Sequence, residues 1–179
     1  MNAPTAKLFV AVTEDSVWIR IFGRANFASS IDFKTLMSEL WHKGFHHYVI
    51  DLSDCALMDS TFLGTLAGFG LKMGNGHSQQ PQTQQHPIEL RNANARIAEL
   101  LENLGAIHLF TMASGQPAIP TAARTQESET QMHSKDALKR AALEAHETLM
   151  EISPGNVRKF TDVTQFLGCG LQNVKPKSE

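Results

Sequence analysis

The chain is poor in the residues that would point to a disulfide-rich, membrane-spanning or strongly charged protein. Its 179 residues include two cysteines, Cys55 and Cys169, which fit neither a disulfide framework nor a metal pair at short spacing. The formal net charge of −2 gives no electrostatic reason to expect nucleic acid as a partner. No apolar run approaches the roughly 18 residues of a membrane span, and the N-terminus lacks the apolar stretch of a signal peptide. We therefore expect a cytoplasmic protein that does not contact a membrane.

The sequence does contain enough apolar material for one substantial core. Hydrophobic residues make up 42% of the chain, which is typical of a packed globular protein. Two short β-type runs, over residues 8–12 and 17–22, predict an opening hairpin. A helix with an apolar stripe follows, with Ser29 or Ser30 as its cap and Gly44 as its end.

A strand and a helix start in the middle of the chain carry most of its chemistry. An apolar run over residues 49–52, interrupted only by Asp51, predicts a buried strand. After a short loop, Asp59, Ser60 and Thr61 place three side chains that favour N-caps at the start of a predicted helix. Hydroxyls there lie at a positively polarised helix terminus, where a phosphate is well tolerated. Capping, which stabilises a helix by about 1 kcal/mol, and phosphate acceptance are compatible roles. Asp59 could either cap the helix or contact a partner.

The following segments predict strands that alternate with helices. A stop signal at residues 73–76 ends the central helix, and a glutamine-rich loop follows. A minimal strand at residues 88–90 precedes a helix capped by Asn92 and closed by Gly105, and a last short strand occupies residues 107–110. This order of elements indicates a small mixed sheet covered by helices.

The last third of the chain differs from the rest. Residues 113–133 hold hardly any bulky apolar side chain, so we interpret them as a disordered or flap-like insertion. Ser134 predicts the cap of a long helix, and a further helix is expected over residues 157–167. We therefore divide the chain into a domain over residues 1–153 and a C-terminal helical extension over residues 154–179.

This pattern resembles the STAS domain, the fold of the bacterial anti-sigma factor antagonists. The signature of that family is a strand ending in Asp-Leu-Ser, a short loop, and Asp-Ser-Ser-Gly-Leu-Gly at a helix start. The corresponding residues here are Asp51-Leu52-Ser53 and Asp59-Ser60-Thr61-Phe62-Leu63-Gly64. The order of the elements agrees over roughly residues 5 to 112 and, more loosely, over the helix from Ser134. The resemblance implies an α/β fold with a small mixed sheet covered by helices. The insertion and the extra C-terminal helix lie outside the minimal family domain.

The resemblance also implies a function in signal transduction and transcription regulation. In the family, the second hydroxyl of the motif accepts phosphate from a partner serine kinase that is also the anti-sigma factor. That position is Thr61 here, with Ser60 as the other candidate acceptor. The resemblance implies a non-enzymatic regulatory module that binds this partner through Asp59, Ser60, Thr61 and Phe62. A phosphatase and a second copy of the chain stay open as further partners. Phe62, where the family has Gly, would alter kinase access or add an apolar contact.

A second hypothesis uses the same fold without phosphorylation. Phe62 and the extra helices would then provide a constitutive protein interface in a signalling complex, for example between two copies of the chain. This hypothesis predicts that Phe62→Ala weakens assembly more than Thr61→Ala does.

Other functional patterns have little support. His42 and His46 have the i, i+4 spacing of a metal pair, but Gly44 lies between them and no carboxylate or cysteine completes the set. The glycines within residues 68–76 fall inside and after a predicted helix, which is not the geometry of a phosphate loop. Cys55 has no neighbouring base or cation, so we expect it to be a small filler. No metal or other cofactor is expected, and an enzyme or a small-ligand binder is the least supported class.

Overall fold

A mixed β-sheet and five helices form the body of the described structure. The computed structural model describes residues 6–76, 86–115, 126–128 and 131–172. The strands are β1 Lys7–Val12, β2 Val17–Ala25, β3 Tyr48–Asp51, β4 Cys55–Met58, β5 Ile88–Arg91, β6 Thr111–Ala113 and β7 Gln126–Glu127. The helices are α1 Phe27–His42, α2 Ser60–Gly76, α3 Ala95–Asn103, α4 Lys135–Ile152 and α5 Pro154–Gln172.

The sheet has its core on one face. Its strand order is β6-β5-β3-β2-β1-β7, and β4 pairs with the end of β2. The antiparallel pairing of β1 with β2 confirms the predicted hairpin, whereas β2, β3, β5 and β6 run parallel to one another. Along β2, Val17, Ile19 and Ile21 are buried while Arg20 and Phe22 are exposed. This alternation places the apolar core on a single face of the sheet.

The first helix begins earlier than the sequence predicts. Its N-cap is Asn26, whose side-chain oxygen accepts a hydrogen bond from the amide of Ser29 at 3.2 Å. The hydroxyl of Ser29 in turn accepts one from the amide of Asn26 at 3.1 Å, which completes a capping box. The prediction of Ser29 or Ser30 as the cap is therefore wrong, because Asn caps a helix at least as well as Ser does. Gly44 ends the helix as predicted, with a φ of +91° that favours glycine.

The segment between β3 and α2 is a strand rather than the predicted loop. Cys55–Met58 pairs in parallel with the end of β2, although only its first and last residues are buried. The sequence does not indicate this strand, because its two middle residues are both exposed and it therefore lacks the alternation of buried and exposed residues that is typical of a strand. The next helix continues to Gly76 and does not stop at the signal predicted from residue 73. Most of the predicted glutamine-rich loop, residues 77–85, lies outside the described residues.

Two further boundaries differ from the sequence predictions. Asn94, not Asn92, caps α3 by accepting a hydrogen bond from the amide of Ile97 at 3.0 Å. Asn92 has a φ of 56° and forms the turn before that helix, a conformation that asparagine tolerates. The predicted strand at residues 107–110 is a 3₁₀ turn over Ile107–Leu109, and the strand follows it. A short buried apolar run does not by itself distinguish the two.

A short strand lies within the segment that was expected to be an insertion. Gln126–Glu127 pairs antiparallel with β1, while residues 116–125 and 129–130 lie outside the described residues. Ser134 caps α4 as predicted, accepting a hydrogen bond from the amide of Ala137 at 3.1 Å. The last helix was expected over residues 157–167, and in the structure it begins at residue 154 and continues to residue 172. The division of the chain at residue 153 stays a prediction.

Asn156 fixes the junction between α4 and α5 to the rest of the molecule. This residue is only 1% exposed, and its side-chain Nδ2 donates hydrogen bonds to the carbonyls of Leu104 at 2.9 Å and Leu149 at 2.7 Å. The first carbonyl ends α3 and the second lies in the last turn of α4. One amide therefore ties both helices to the start of α5. Of the helices described, none is long and apolar enough to cross a bilayer.

Candidate functional site

Asp59 caps α2 and also joins it to α1. Its Oδ1 accepts a hydrogen bond from the amide of Phe62 at 2.8 Å, and its carbonyl accepts the amide of Leu63 at 3.0 Å. Its Oδ2 accepts the amide of Phe27, the first residue of α1, at 2.8 Å. The amide of Asp59 donates to the carbonyl of Ala25 at the end of β2, at 2.9 Å. The capping role predicted for Asp59 is confirmed, and the same carboxylate sets the two helix starts beside each other.

Ser60 is held by a histidine from the C-terminal part of the chain. Its Oγ lies 2.9 Å from Nε2 of His146 in α4, 86 positions away in sequence. The ring of His146 is 7% exposed and stacks on Phe160 of α5, with ring centroids 4.6 Å apart. Sequence reasoning missed this histidine. The one sequence feature that could have indicated it is its position beside the apolar stripe of α4, three residues before Leu149.

The two titratable groups of the site have opposite pKa shifts with the same main cause. Burial raises the pKa of the Asp59 carboxyl, and this outweighs the amide hydrogen bonds and the nearby His146 that act to lower it. Burial lowers the pKa of the His146 ring, against the charge of Asp59. The ring is therefore neutral at neutral pH. Its Nδ1 is buried and has no hydrogen-bond partner among the described residues.

The other two residues predicted for the site are buried. Thr61 is 5% exposed and Phe62 is 0% exposed, and the ring of Phe62 packs 4.9 Å from that of Phe33 in α1. The expected role of Phe62 as a partner contact is therefore corrected: its side chain fills the space between α1 and α2. The exposed apolar side chains near the start of α2 are Phe27 and Leu57, at 47% and 39% exposure. The sequence did not indicate either residue, because the pattern of apolar residues does not show whether a given side chain is exposed.

α4 crosses α2 directly after the acceptor residues. A Cβ placed on Gly64 would overlap the carbonyl oxygen of Ala145, so the two helix backbones are in contact there. Only glycine allows this close approach. The glycine of the motif is thus explained by helix packing, and the packing brings α4 to within one turn of Ser60 and Thr61.

The Asp51-Leu52-Ser53 half of the motif stabilises the end of β3. The Asp51 carboxylate is 2% exposed, and Ser53 donates to it from its amide at 3.1 Å and from its hydroxyl at 2.9 Å. Asn92 donates to the same carboxylate at 3.1 Å across the sheet. This half of the motif is a structural support, because its polar atoms are used in fixing the loops at the carboxyl ends of β3 and β5.

A cleft of about 250 Å³ lies between α1, α2 and α4, next to the acceptor residues. Its polar lining groups are largely paired within the protein. Lys34 forms an ion pair with Glu144 across the cleft, and the hydroxyl of Thr65 donates to the carbonyl of Thr61 at 3.0 Å. The cleft therefore offers no converging set of unpaired polar groups of the kind that small-molecule sites present.

The other residues considered for a functional role form contacts within the protein: these are His42, His46 and Cys55. Nδ1 of His42 lies 2.6 Å from the carbonyl of Ser38, and His46 packs edge-on against Trp41. Within residues 6–76, 86–115, 126–128 and 131–172, no group of three or more His, Cys, Asp or Glu side chains is placed to hold a metal ion. Cys55 is buried, and burial raises the pKa of its thiol, so its role as a small filler is confirmed.

Comparison with known proteins supports the fold that the motif indicates. Neither a family model nor a curated protein sequence matches the chain. Among solved structures, it is similar to the anti-sigma factor antagonist SpoIIAA in its unphosphorylated form, with a TM-score of 0.50 and 16% sequence identity. The similarity covers 60% of this chain and 88% of SpoIIAA. The chain has a STAS-like fold. The expected α/β architecture, a small mixed sheet covered by helices, is therefore confirmed. An identity this low shows the fold alone, so the function must be argued from the site.

Proposed function

We propose that the protein is a non-enzymatic regulatory module of the anti-sigma factor antagonist kind. It binds a partner protein, a serine kinase that also acts as an anti-sigma factor, through the surface at the start of α2. Phosphorylation at Thr61 or Ser60 controls this binding, and a phosphatase reverses it. The observation that carries the proposal is the placement of Asp59, Ser60 and Thr61 at one helix N-terminus within a STAS-like fold.

The exposed surface around the acceptors has the character of a protein contact. Phe27 presents about half of its side chain to solvent, and its amide is fixed by Asp59. Leu57 lies two residues before that aspartate and is also exposed. Aromatic and aliphatic anchors beside polar groups are typical of interface centres. In this proposal Phe27 and Leu57 replace Phe62 as the apolar contacts.

A phosphate at the start of α2 would change partner binding. It adds nearly two negative charges and three acceptor oxygens. The amides and dipole at the start of α2 attract it, whereas the Asp59 carboxylate repels it. A partner that covers the site would have to desolvate the phosphate. We therefore expect loss of partner binding.

The test combines phosphate mapping with binding. The purified protein is incubated with candidate serine kinases, and modified residues are located by mass spectrometry in the natural chain and in Ser60→Ala and Thr61→Val. Phosphate confined to the segments around residues 76–87 or 113–133 would contradict the proposal. For binding, Phe27→Ala should weaken capture of the kinase. Phe22→Ala serves as the matched control, because Phe22 is similarly exposed, at 52%, on the open face of the sheet.

A second candidate function is a STAS-like scaffold that is never phosphorylated. The observation in its favour is that neither acceptor is openly accessible: Thr61 is buried and the Ser60 hydroxyl contacts His146. Exposed apolar residues of α5, Val163 and Phe166, would then contribute to an interface with a second copy. Light scattering of Phe166→Ala against the natural chain tests this candidate, since a scaffold of this kind should lose assembly.

A further inference from the structure

One histidine joins three helices at the acceptor site. Nε2 of His146 in α4 contacts the hydroxyl of Ser60 at the start of α2, at 2.9 Å. The face of the same ring stacks on Phe160 of α5, with an interplanar angle of 20°. The helices α4 and α5, which we call the C-terminal hairpin, are therefore connected to the acceptor residues by a specific polar contact.

The hairpin also lies over the face of α2 that carries Thr61. Residues three and four positions apart share a helix face, so Thr61 is aligned with Gly64 and Thr65. At Gly64 the backbone of α4 is in direct contact with α2, through the carbonyl of Ala145. Thr61 itself is 5% exposed. With the hairpin in place, the Thr61 hydroxyl is closed to another protein and the Ser60 hydroxyl is already engaged.

α4 has fewer fully buried large side chains than α2 has. Its buried residues are Ala145, His146 and Leu149, and Ile152 packs against the core while partly exposed. By contrast, α2 buries a continuous series of large side chains: Phe62, Leu63, Leu66, Phe69 and Met73. Nδ1 of His146, which has no hydrogen-bond partner among the described residues, is a buried polar atom whose desolvation opposes this packing. Elements with few buried apolar contacts open locally at less cost than the whole fold.

We propose that the C-terminal hairpin is an autoinhibitory cover of the acceptor site, and that the hydrogen bond between Ser60 and His146 is the latch that keeps it closed. This inference rests on the proposed function and concerns the regulation of the same site. In the closed form neither hydroxyl is available to a kinase. When α4 moves off α2, Ser60 is released and Thr61 becomes accessible. A partner that binds the open form shifts the population toward it.

Thiol labelling of the full-length chain tests the cover without any kinase. Thr61→Cys is introduced together with Cys169→Ser, which removes the exposed thiol, and the rate of maleimide labelling is measured by mass spectrometry. Cys55, which is 2% exposed, is the internal reference for global unfolding. Two latch variants are compared: His146→Phe keeps a ring against Phe160 but lacks Nε2, and Ser60→Ala lacks the hydroxyl. Glu147→Gln, at an exposed neighbouring position of α4, is the matched control.

Each outcome bears on the cover directly. Loss of one hydrogen bond should speed labelling at position 61 about fivefold in both latch variants, with the control and Cys55 unchanged. The cover is overturned if neither latch variant labels faster, or if position 61 labels in the parent as fast as Cys169 does in the natural chain. The cover is also overturned if the labelling of Cys55 accelerates to the same extent, because the opening would then be global unfolding. Because labelling measures opening and phosphate mapping measures modification, failure of the cover and failure of the proposed function are distinguishable.

Discussion

The carboxylate of Asp59 accepts a hydrogen bond from the amide of Phe27, although the two residues are 32 positions apart. Its other oxygen accepts the amide of Phe62. One side chain therefore caps α2 and at the same time fixes the first residue of α1 beside it. This relationship positions an exposed aromatic ring next to the acceptor hydroxyls, and it explains why an acidic residue is needed at this helix start.

Removing the Asp59 carboxylate should destabilise the protein more than removing an ordinary cap does. Asp59→Ala leaves two amides without their acceptor, so we expect a loss of about 2 kcal/mol in the free energy of unfolding. Ser134→Ala removes a cap that serves one amide on the exposed end of α4, and about 1 kcal/mol is expected. Urea unfolding of both variants measures the difference. Equal losses would show that the bond to Phe27 contributes nothing.

The sequence predicts the parts of the site that depend on local chemistry. Patterns that span only a few residues predict the Asp59 cap, the β-hairpin of β1 and β2, and the buried strand before the motif. The contact between Ser60 and His146 joins positions 86 residues apart, and no local pattern encodes it. The burial of Phe62 was missed for a related reason. Its exposure is decided by how α1 packs against α2, and a helix start is by itself compatible with either a buried or an exposed residue.

Adding a methyl group at Gly64 should force α4 away from α2. A Cβ at this position overlaps the Ala145 carbonyl, which is backbone and cannot rotate aside. We expect Gly64→Ala to lower the free energy of unfolding by about 1–3 kcal/mol and to raise labelling at position 61. In Gly74→Ala the new Cβ meets nothing within 4 Å, so this control should gain about 0.5–1 kcal/mol from helix propensity alone. Equal effects at the two glycines would contradict the close crossing of the helices.

Truncating Phe62 should lower stability, whereas truncating Phe27 should weaken partner binding. Phe62 is fully buried against Phe33, so Phe62→Ala should cost about 3–5 kcal/mol of stability. Phe27 is half exposed, and Phe27→Ala should change stability by about 0.5 kcal/mol or less while reducing partner capture. Thermal unfolding and a pull-down on the same preparations measure both properties. A loss of capture in Phe62→Ala at a temperature where it is fully folded would contradict the structural role given to Phe62.

The stability of the protein should fall as the pH decreases through the ordinary range of histidine, because of His146. Burial lowers the pKa of this ring in the folded state below the ordinary value of 6.5, so the unfolded chain takes up a proton first. The contribution of the neutral ring is complete above that pH and is lost progressively below it. Asp59, whose pKa burial raises, acts in the opposite sense in the acid range, since its folded form binds a proton more readily.

His146→Gln keeps a polar group opposite Ser60 but does not titrate. Urea midpoints at about pH 7.5 and pH 5.5, on either side of the histidine range, should therefore differ less in His146→Gln than in the natural chain. The other histidines are common to both proteins, so an equal pH dependence would show that His146 is not held neutral in the folded state.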